Sequence, residues 1–321
     1  MATVTVEKLR ESLVSEATPL PLRFRALFSL KHMAVTDKSA AGPAIEGIAA
    51  AFASPSALLK HELAYCLGQT ANDAAVQPLR KVLCDLEEDS MVRHEAAEAL
   101  GALGHAESLE LLKHFRDREG EDISVVETCE IAIDRIEWSS SQDRQKEKLK
   151  PSDFASIDPA PPAVETEQNV EELGKQLMDE KLPLFLRYRA MFSLRDLASP
   201  PDLPTAVPAV LALAKGLDDP SALFRHEIAF VFGQLSHPAS IPALTKALSD
   251  VNEASMVRHE AAEALGSLGE EEGVEDILRP FLHDKEKVVR ESIIVALDMV
   301  DYEQSGAAEY ALIPEVAGAS A

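Results

Sequence analysis

Residues 90–104 read SMVRHEAAEALGALG, and residues 255–269 read SMVRHEAAEALGSLG, 165 positions further on. The same offset carries PSALLKHELAYCLGQ (55–69) onto PSALFRHEIAFVFGQ (220–234), and RFRALFSL (23–30) returns as RYRAMFSL (187–194) at an offset of 164. Two copies of one module therefore cover most of the 321 residues. Self-similarity at a fixed period is the mark of a repeat architecture.

Each copy also repeats internally. The tripeptides Arg23-Phe24-Arg25, Lys60-His61-Glu62, Arg93-His94-Glu95 and Val126-Glu127-Thr128 align at steps of 37, 33 and 33 residues. Arg187-Tyr188-Arg189, Arg225-His226-Glu227, Arg258-His259-Glu260 and Arg290-Glu291-Ser292 follow at steps of 38, 33 and 32. Within a unit, LRKVLCDL (79–86) and then VRHEAAEALGAL (92–103) carry apolar residues at helical spacing. Small residues in AAEALG let neighbouring helices approach closely. The phrase VR-x-x-AAEALG resembles the short form of the HEAT-like repeat, whose units stack into a solenoid with the second helices on the concave face.

The predicted fold is all-α: an α-solenoid of eight HEAT-like helical hairpins in two four-repeat lobes, residues 1–138 and 169–321. Between them, SSSQDRQKEKLKPSDFASIDPAPPAVETEQ (139–168) contains four prolines and few large apolar side chains. Its composition predicts a flexible linker.

Four of the nine histidines stand before a glutamate, and all four occupy one register position: His61-Glu62, His94-Glu95, His226-Glu227 and His259-Glu260. An acidic residue after Val-Arg is ordinary in such repeats, and so are Glu98 and Glu263 one turn further on, which are read as structural or solvated. Histidine is a mediocre helix former that solenoid packing does not require. It is confined to the two central repeats of each half; the outer repeats place Phe24, Tyr188, Glu127 and Glu291 there. Second helices about 8–10 Å apart bring equivalent side chains within reach of one ion. This pairs His61 with His94 and His226 with His259. Two histidines and a carboxylate with open positions suit oxygen-activating non-haem iron, and two facing sets suit a dinuclear centre. The ligand types alone also allow a zinc or manganese hydrolase, and a metal-free scaffold is the remaining alternative. No nucleophile elbow, phosphate-binding loop or dinucleotide fingerprint competes.

Bulk properties narrow the setting. With 55 acidic and 31 basic residues the formal net charge is −24, and no Lys/Arg cluster offers a nucleic-acid face. No apolar run is long enough to span a bilayer. MATVTVEKLRESL lacks the apolar core of a secretory signal. The three cysteines are odd in number and show no C-x-x-C spacing, so a reducing cytoplasm is expected.

With the repeats and four His-Glu pairs in place, the chain resembles the deoxyhypusine hydroxylase family from about residue 6 to 302. Both SMVRHEAAEALG copies carry the resemblance, together with KHELAYCLGQ and RHEIAFVFGQ. The resemblance implies a monooxygenase with two ferrous ions and molecular oxygen as co-substrate. It would hydroxylate the deoxyhypusine side chain of eukaryotic translation initiation factor 5A to hypusine. His61, Glu62, His94, Glu95, His226, Glu227, His259 and Glu260 would form the metal site. Glu95 and Glu260 are taken as the firmer ligands, and Glu62 and Glu227 as candidates to bind the amines of the substrate. The acidic balance suits a cationic arm on a basic loop.

Overall fold

The computed structural model describes residues 5–141, 147, 152–162 and 169–305, and sixteen α-helices and no strand occur among them. In the first half they are α1 (Val6–Val14), α2 (Leu20–Thr36), α3 (Ala41–Ala50), α4 (Ala57–Gly68), α5 (Val76–Cys84), α6 (Ser90–Leu103), α7 (Leu109–Arg116) and α8 (Ile123–Ser140). The second half continues with α9 (Val170–Leu177), α10 (Leu184–Leu197), α11 (Ala206–Ala214), α12 (Ala222–Leu235), α13 (Ile241–Ser249), α14 (Ser255–Gly266), α15 (Val274–Leu278) and α16 (Lys287–Ser305). They pair into the eight expected hairpins of the α-solenoid. None is long and apolar enough to cross a membrane among the described residues.

The arginine that recurs in the tripeptides closes four of the hairpins. Arg23, Arg93, Arg187 and Arg258 each donate Nε–H to the carbonyl ten residues earlier, at Leu13, Leu83, Leu177 and Leu248, over 2.8–3.1 Å. That carbonyl lies at the end of the preceding first helix, where intrahelical partners have run out. The rest of the guanidinium pairs with Glu16, Glu121, Asp219 and Asp284 respectively. The pair with Arg93 holds the Glu121 carboxyl down at about 2. Each buried arginine therefore fixes how its two helices cross.

Along each half the second helices stack: α4 on α6 and α6 on α8, then α12 on α14 and α14 on α16. The halves meet head to tail, with α8 against α10 and α12, and α16 against α2 and α4. Two apolar cores result. The first runs from Leu9 to Ile136 and takes in Val295; the second runs from Leu173 to Val300 and takes in Met91, Ile131 and Ala160. Arg25 joins the halves by a two-pronged pair with Asp298, at 2.8 and 2.9 Å.

The stretch read as a flexible linker needs correction where it is described. Helix α8 runs on to Ser140, two residues past the expected boundary, and residues 152–162 pack against both halves. Arg195, fully buried, grips Asp158 through two hydrogen bonds of 2.9 and 2.8 Å. Arg189 donates to the carbonyls of Pro161 and Pro162. Side chains that composition suggested were solvated are instead paired in the interior. The remaining linker residues, 142–146, 148–151 and 163–168, lie outside the described residues.

Candidate metal centre

Head-to-tail closure turns the concave faces of the halves towards each other, and α4, α6, α12 and α14 meet at the middle. These are the helices of the four His-Glu pairs. Serine caps two of them: Ser56 accepts from the Leu59 amide at the start of α4, and Ser221 from the Phe224 amide at the start of α12.

The four imidazoles form one cluster. Ring centroids lie 5.4 Å apart for His61–His94 and 5.3 Å for His226–His259 within the halves. Across the halves the values are 5.6 Å for His61–His226, 5.1 Å for His61–His259 and 5.4 Å for His94–His226. Cross-half distances match the within-half ones, so the pair expected in each half lies with the other in a single cluster. Ligand atoms of His61, His94 and His226 approach within 4.8 Å of one another, and so do those of His226, His259 and Glu260. His226 belongs to both sets because its imidazole reaches the rings of both halves.

Carboxylates complete the cluster. Glu95 Oε2 lies 3.3 Å from His61 Nε2, and Glu260 Oε2 lies 3.4 Å from His226 Nε2, the same relation in each half. Glu62 and Glu227 are buried beside them. The Cys66 thiol points at Glu62 Oε1 from 3.8 Å, a weak donor, and Glu227 Oε1 has no hydrogen-bond partner.

The electrostatics are those of a site built for cations. Burial lowers the pKa of His61, and lowers His94 and His259 much further, helped by neighbouring imidazoles. Neutral imidazole is the form that ligates a metal. Burial raises Glu62 to about 7 and Glu95 to about 8, and it holds Glu98, Glu227 and Glu263 well above the usual range, with neighbouring carboxylates adding to the rise. Seven imidazole nitrogens are buried without a hydrogen bond: Nε2 of His61 and both nitrogens of His94, His226 and His259. Leaving one such group unsatisfied costs about 1–3 kcal/mol. One nitrogen from each ring, beside acidic oxygens, could hold a metal ion.

A cavity of about 290 Å³ opens onto the cluster. His61, His226, Glu62, Glu95, Glu227 and Glu260 line its floor, and His94 and His259, fully buried, lie behind them. Glu98 and Glu263 also line it, which corrects their reading as solvated repeat residues. Their signal was the four-residue spacing from His94 and His259, which returns a side chain to the same helix face; Glu263 Oε1 reaches within 3.6 Å of His259 Nδ1. Phe28, Tyr65, Phe230 and Met299 form apolar walls, and Lys31 and Gln234 stand at the rim. Tyr65 and Phe230 hold one place in the two copies and Gln234 repeats Gln69, whereas no repeat marks Phe28, Lys31 and Met299 as wall residues. Among the histidines outside the motif, His105 pairs with exposed Asp73, and the His237 Nδ1 accepts from the Ala239 amide.

Comparison with known proteins agrees with this geometry. Residues 45–127 and 210–298 match the HEAT-repeat family. A deoxyhypusine hydroxylase from Gibberella zeae is 75% identical over 99% of this chain and 95% of its own. One from Neurospora crassa is 75% identical over 98% of each chain. The solved structure of human deoxyhypusine hydroxylase in complex with glycerol superposes with a TM-score of 0.82 at 45% identity, covering 92% of this chain and 96% of that one.

Proposed function

The chain belongs to the deoxyhypusine hydroxylase family, and we propose that it works as a non-haem di-iron monooxygenase on a protein substrate. Hydroxylation of deoxyhypusine is the activity of its relatives by name. The observation that carries the iron assignment is the cluster of four imidazoles whose buried nitrogens have no hydrogen-bond partner. His61, His94, His226 and His259 would hold two iron ions, with Glu62, Glu95, Glu227 and Glu260 supplying oxygens. Glu95 and Glu260, with oxygens 3.3 and 3.4 Å from the Nε2 of His61 and His226, are the firmer ligands, and Glu62 and Glu227, the second with an unpartnered Oε1, are also candidates to bind the amines of the substrate. Bound ferrous ions supply the activation of molecular oxygen that insertion into an unactivated C–H bond requires.

The chain's own residues do the rest. Glu62 and Glu95, protonated near neutrality in the metal-free protein, give up protons as cations arrive. Six carboxylates around one cavity exceed the charge of two divalent ions, and the surplus suits an arm carrying two ammonium groups. Glu98 and Glu263, which line the same cavity, are placed to bind those amines with Glu62 and Glu227. Phe28, Tyr65, Phe230 and Met299 flank the methylenes and keep water from the target carbon. The cavity is narrow enough for an extended side chain and too small for a folded segment. The protein substrate is the deoxyhypusine form of eukaryotic translation initiation factor 5A. Free Cys66, Cys84 and Cys129 suit the reducing cytoplasm we propose as its compartment.

Metal analysis and mass spectrometry test this together. Purified protein given ample iron should hold two ions per chain, and His94→Ala should lose iron and activity while His105→Ala keeps both. With the deoxyhypusine protein and a reductant, one oxygen atom should enter the modified side chain under oxygen and none under argon. Turnover in both atmospheres, or one zinc per chain, would defeat the assignment.

A further inference from the structure

The cavity over the metal centre continues outward into a second groove of about 380 Å³. Lys31, Tyr65 and Gln234 line both spaces, so the groove is the mouth of the site. Its outer wall is the 154–156 part of the segment joining the halves, with His32, Val35 and Gln69 opposite.

That wall is held by a duplicated device. Gln69 and Gln234 are the same residue of the two module copies, and each reaches the strap. The Gln69 side-chain amide pairs with the Ile157 peptide in both directions, donating Nε2–H to its carbonyl over 3.2 Å and accepting its N–H over 2.8 Å. Gln234 donates to Ser156 Oγ over 2.9 Å and accepts from Arg195 over 2.8 Å. Arg195 also grips Asp158 and stacks its guanidinium 4.3 Å from the Phe154 ring centroid. A segment that only tethered two halves would not need both copies of one glutamine to fix it across an opening.

We propose that this groove seats the main chain flanking the modified residue of the protein substrate, and that Gln69 and Gln234 are positioning residues that hold its outer wall. The inference rests on the function proposed above. Two observations select the occupant. The reacting arm is covalently attached to a polypeptide, so once its tip reaches the floor the polypeptide must lie at the mouth. The polarity of the lining also changes with depth: carboxylates crowd the floor, whereas amides, hydroxyls, rings and the single ammonium of Lys31 line the mouth, with no carboxylate among them. A floor of that kind holds ammonium groups, and a mouth of that kind holds peptide groups and small side chains.

The experiment uses the iron-loaded full chain with two substrates, the deoxyhypusine-bearing protein and free deoxyhypusine. Hydrogen exchange should show residues 31–35 and 154–157 gaining protection with the protein substrate and not with the free amino acid. Gln69→Ala should raise KM for the protein about tenfold, the loss of two ordinary hydrogen bonds that hold the wall, with kcat and iron content within about twofold. KM for free deoxyhypusine should stay level. Phe154→Ala, which leaves the hydrogen bonds of the strap intact, should shift KM the same way. Equal shifts for both substrates would mark a merely structural role and overturn the proposal, as would turnover of the protein substrate without protection at 154–157. Protection without oxygen insertion would leave the docking surface standing and sink the proposed reaction instead.

Discussion

The duplicated glycines Gly68 and Gly233 hold the same place in LGQ and FGQ, yet their surroundings predict opposite responses to alanine. A Cβ at Gly68, on α4, would come within 2.9 Å of the Ala99 Cα and 2.8 Å of its Cβ on α6. Both contacts lie in a neighbouring helix that cannot swing aside, so the helices must part by about half an ångström; overpacking of this kind costs typically about 1–3 kcal/mol. A Cβ at Gly233, on α12, meets the Ala264 Cα at 3.5 Å and its Cβ at 3.6 Å, ordinary contact. There the gain in helix propensity, about 1 kcal/mol, stands almost unopposed. Gly68→Ala should therefore lower stability by roughly 0–2 kcal/mol net, and Gly233→Ala should raise it by up to about 1. Thermal melts of the two variants, metal-free and iron-loaded, should separate by several degrees. Parting α4 from α6 also moves His61 relative to His94, so Gly68→Ala should bind iron more weakly. Gly233 lines the cavity, so stability rather than turnover is the diagnostic for that variant. If both substitutions shifted stability in the same direction by similar amounts, helix spacing would not be set by these glycines.

The two contacts by which each half grips the other's metal helix offer a second test. Ser56 Oγ donates to Glu291 over 2.8 Å and Ser221 Oγ donates to Glu127 over 2.6 Å, so Glu127→Ala and Glu291→Ala should each cost about 1–2 kcal/mol, sum in the double variant, and weaken iron binding; denaturant titration with iron analysis checks this, and an unchanged iron affinity in the double variant would count against it. The pH dependence of the metal-free protein follows from its buried acids. Glu62 and Glu95 have folded pKa values raised to about 7 and 8, so the stability they contribute is full below the unfolded value near 4.5 and is lost progressively from there until pH has passed 7 and 8. The lowered histidines act in the opposite sense, and only below their unfolded value near 6.5. Between pH 6.5 and 8.5 these two carboxyls should take about 3 kcal/mol from the metal-free protein, with the raised Glu98, Glu227 and Glu263 adding to the loss, whereas iron binding should tighten over the same window as it displaces those protons. A melting temperature that rises with pH there would refute the assignment of these protons.

The hairpins, their register and the four His-Glu pairs are legible in the sequence because a duplication prints each residue twice, and shared context separates signal from accident. Contacts between unlike surfaces leave no such print. The partner of Arg195 is Asp158, in a stretch whose prolines and serines suggest solvent, and composition does not distinguish a solvated carboxylate from one gripped by a buried guanidinium. Glu98 and Glu263 were hidden for the opposite reason: their phrase is common to ordinary repeats, and only the facing half turns that helix surface into a cavity wall. Likewise LGQ and FGQ look equivalent, while the helix spacing at Gly68 and Gly233 differs by more than half an ångström.

One register position, followed through the eight repeats, shows how the two halves come to form a single site. In each first repeat it holds Phe24 or Tyr188, buried in its own half's core. In the two central repeats it holds histidine, aimed where the concave faces meet. In each last repeat it holds Glu127 or Glu291, whose carboxylate accepts from the serine that caps the opposite half's first histidine helix. The position faces inward throughout, and its surroundings change from apolar core to ligand cluster to the neighbouring half. A solenoid half standing alone would expose the last of these carboxylates, and the first half would lose the third member of its ligand set, since His61 and His94 share theirs with His226. Closing the halves head to tail satisfies all three roles together. The capping serines link them physically, because Ser56 and Ser221 each start a helix that carries a histidine while donating to the other half. Whatever loosens that clasp should therefore loosen the metal site as well.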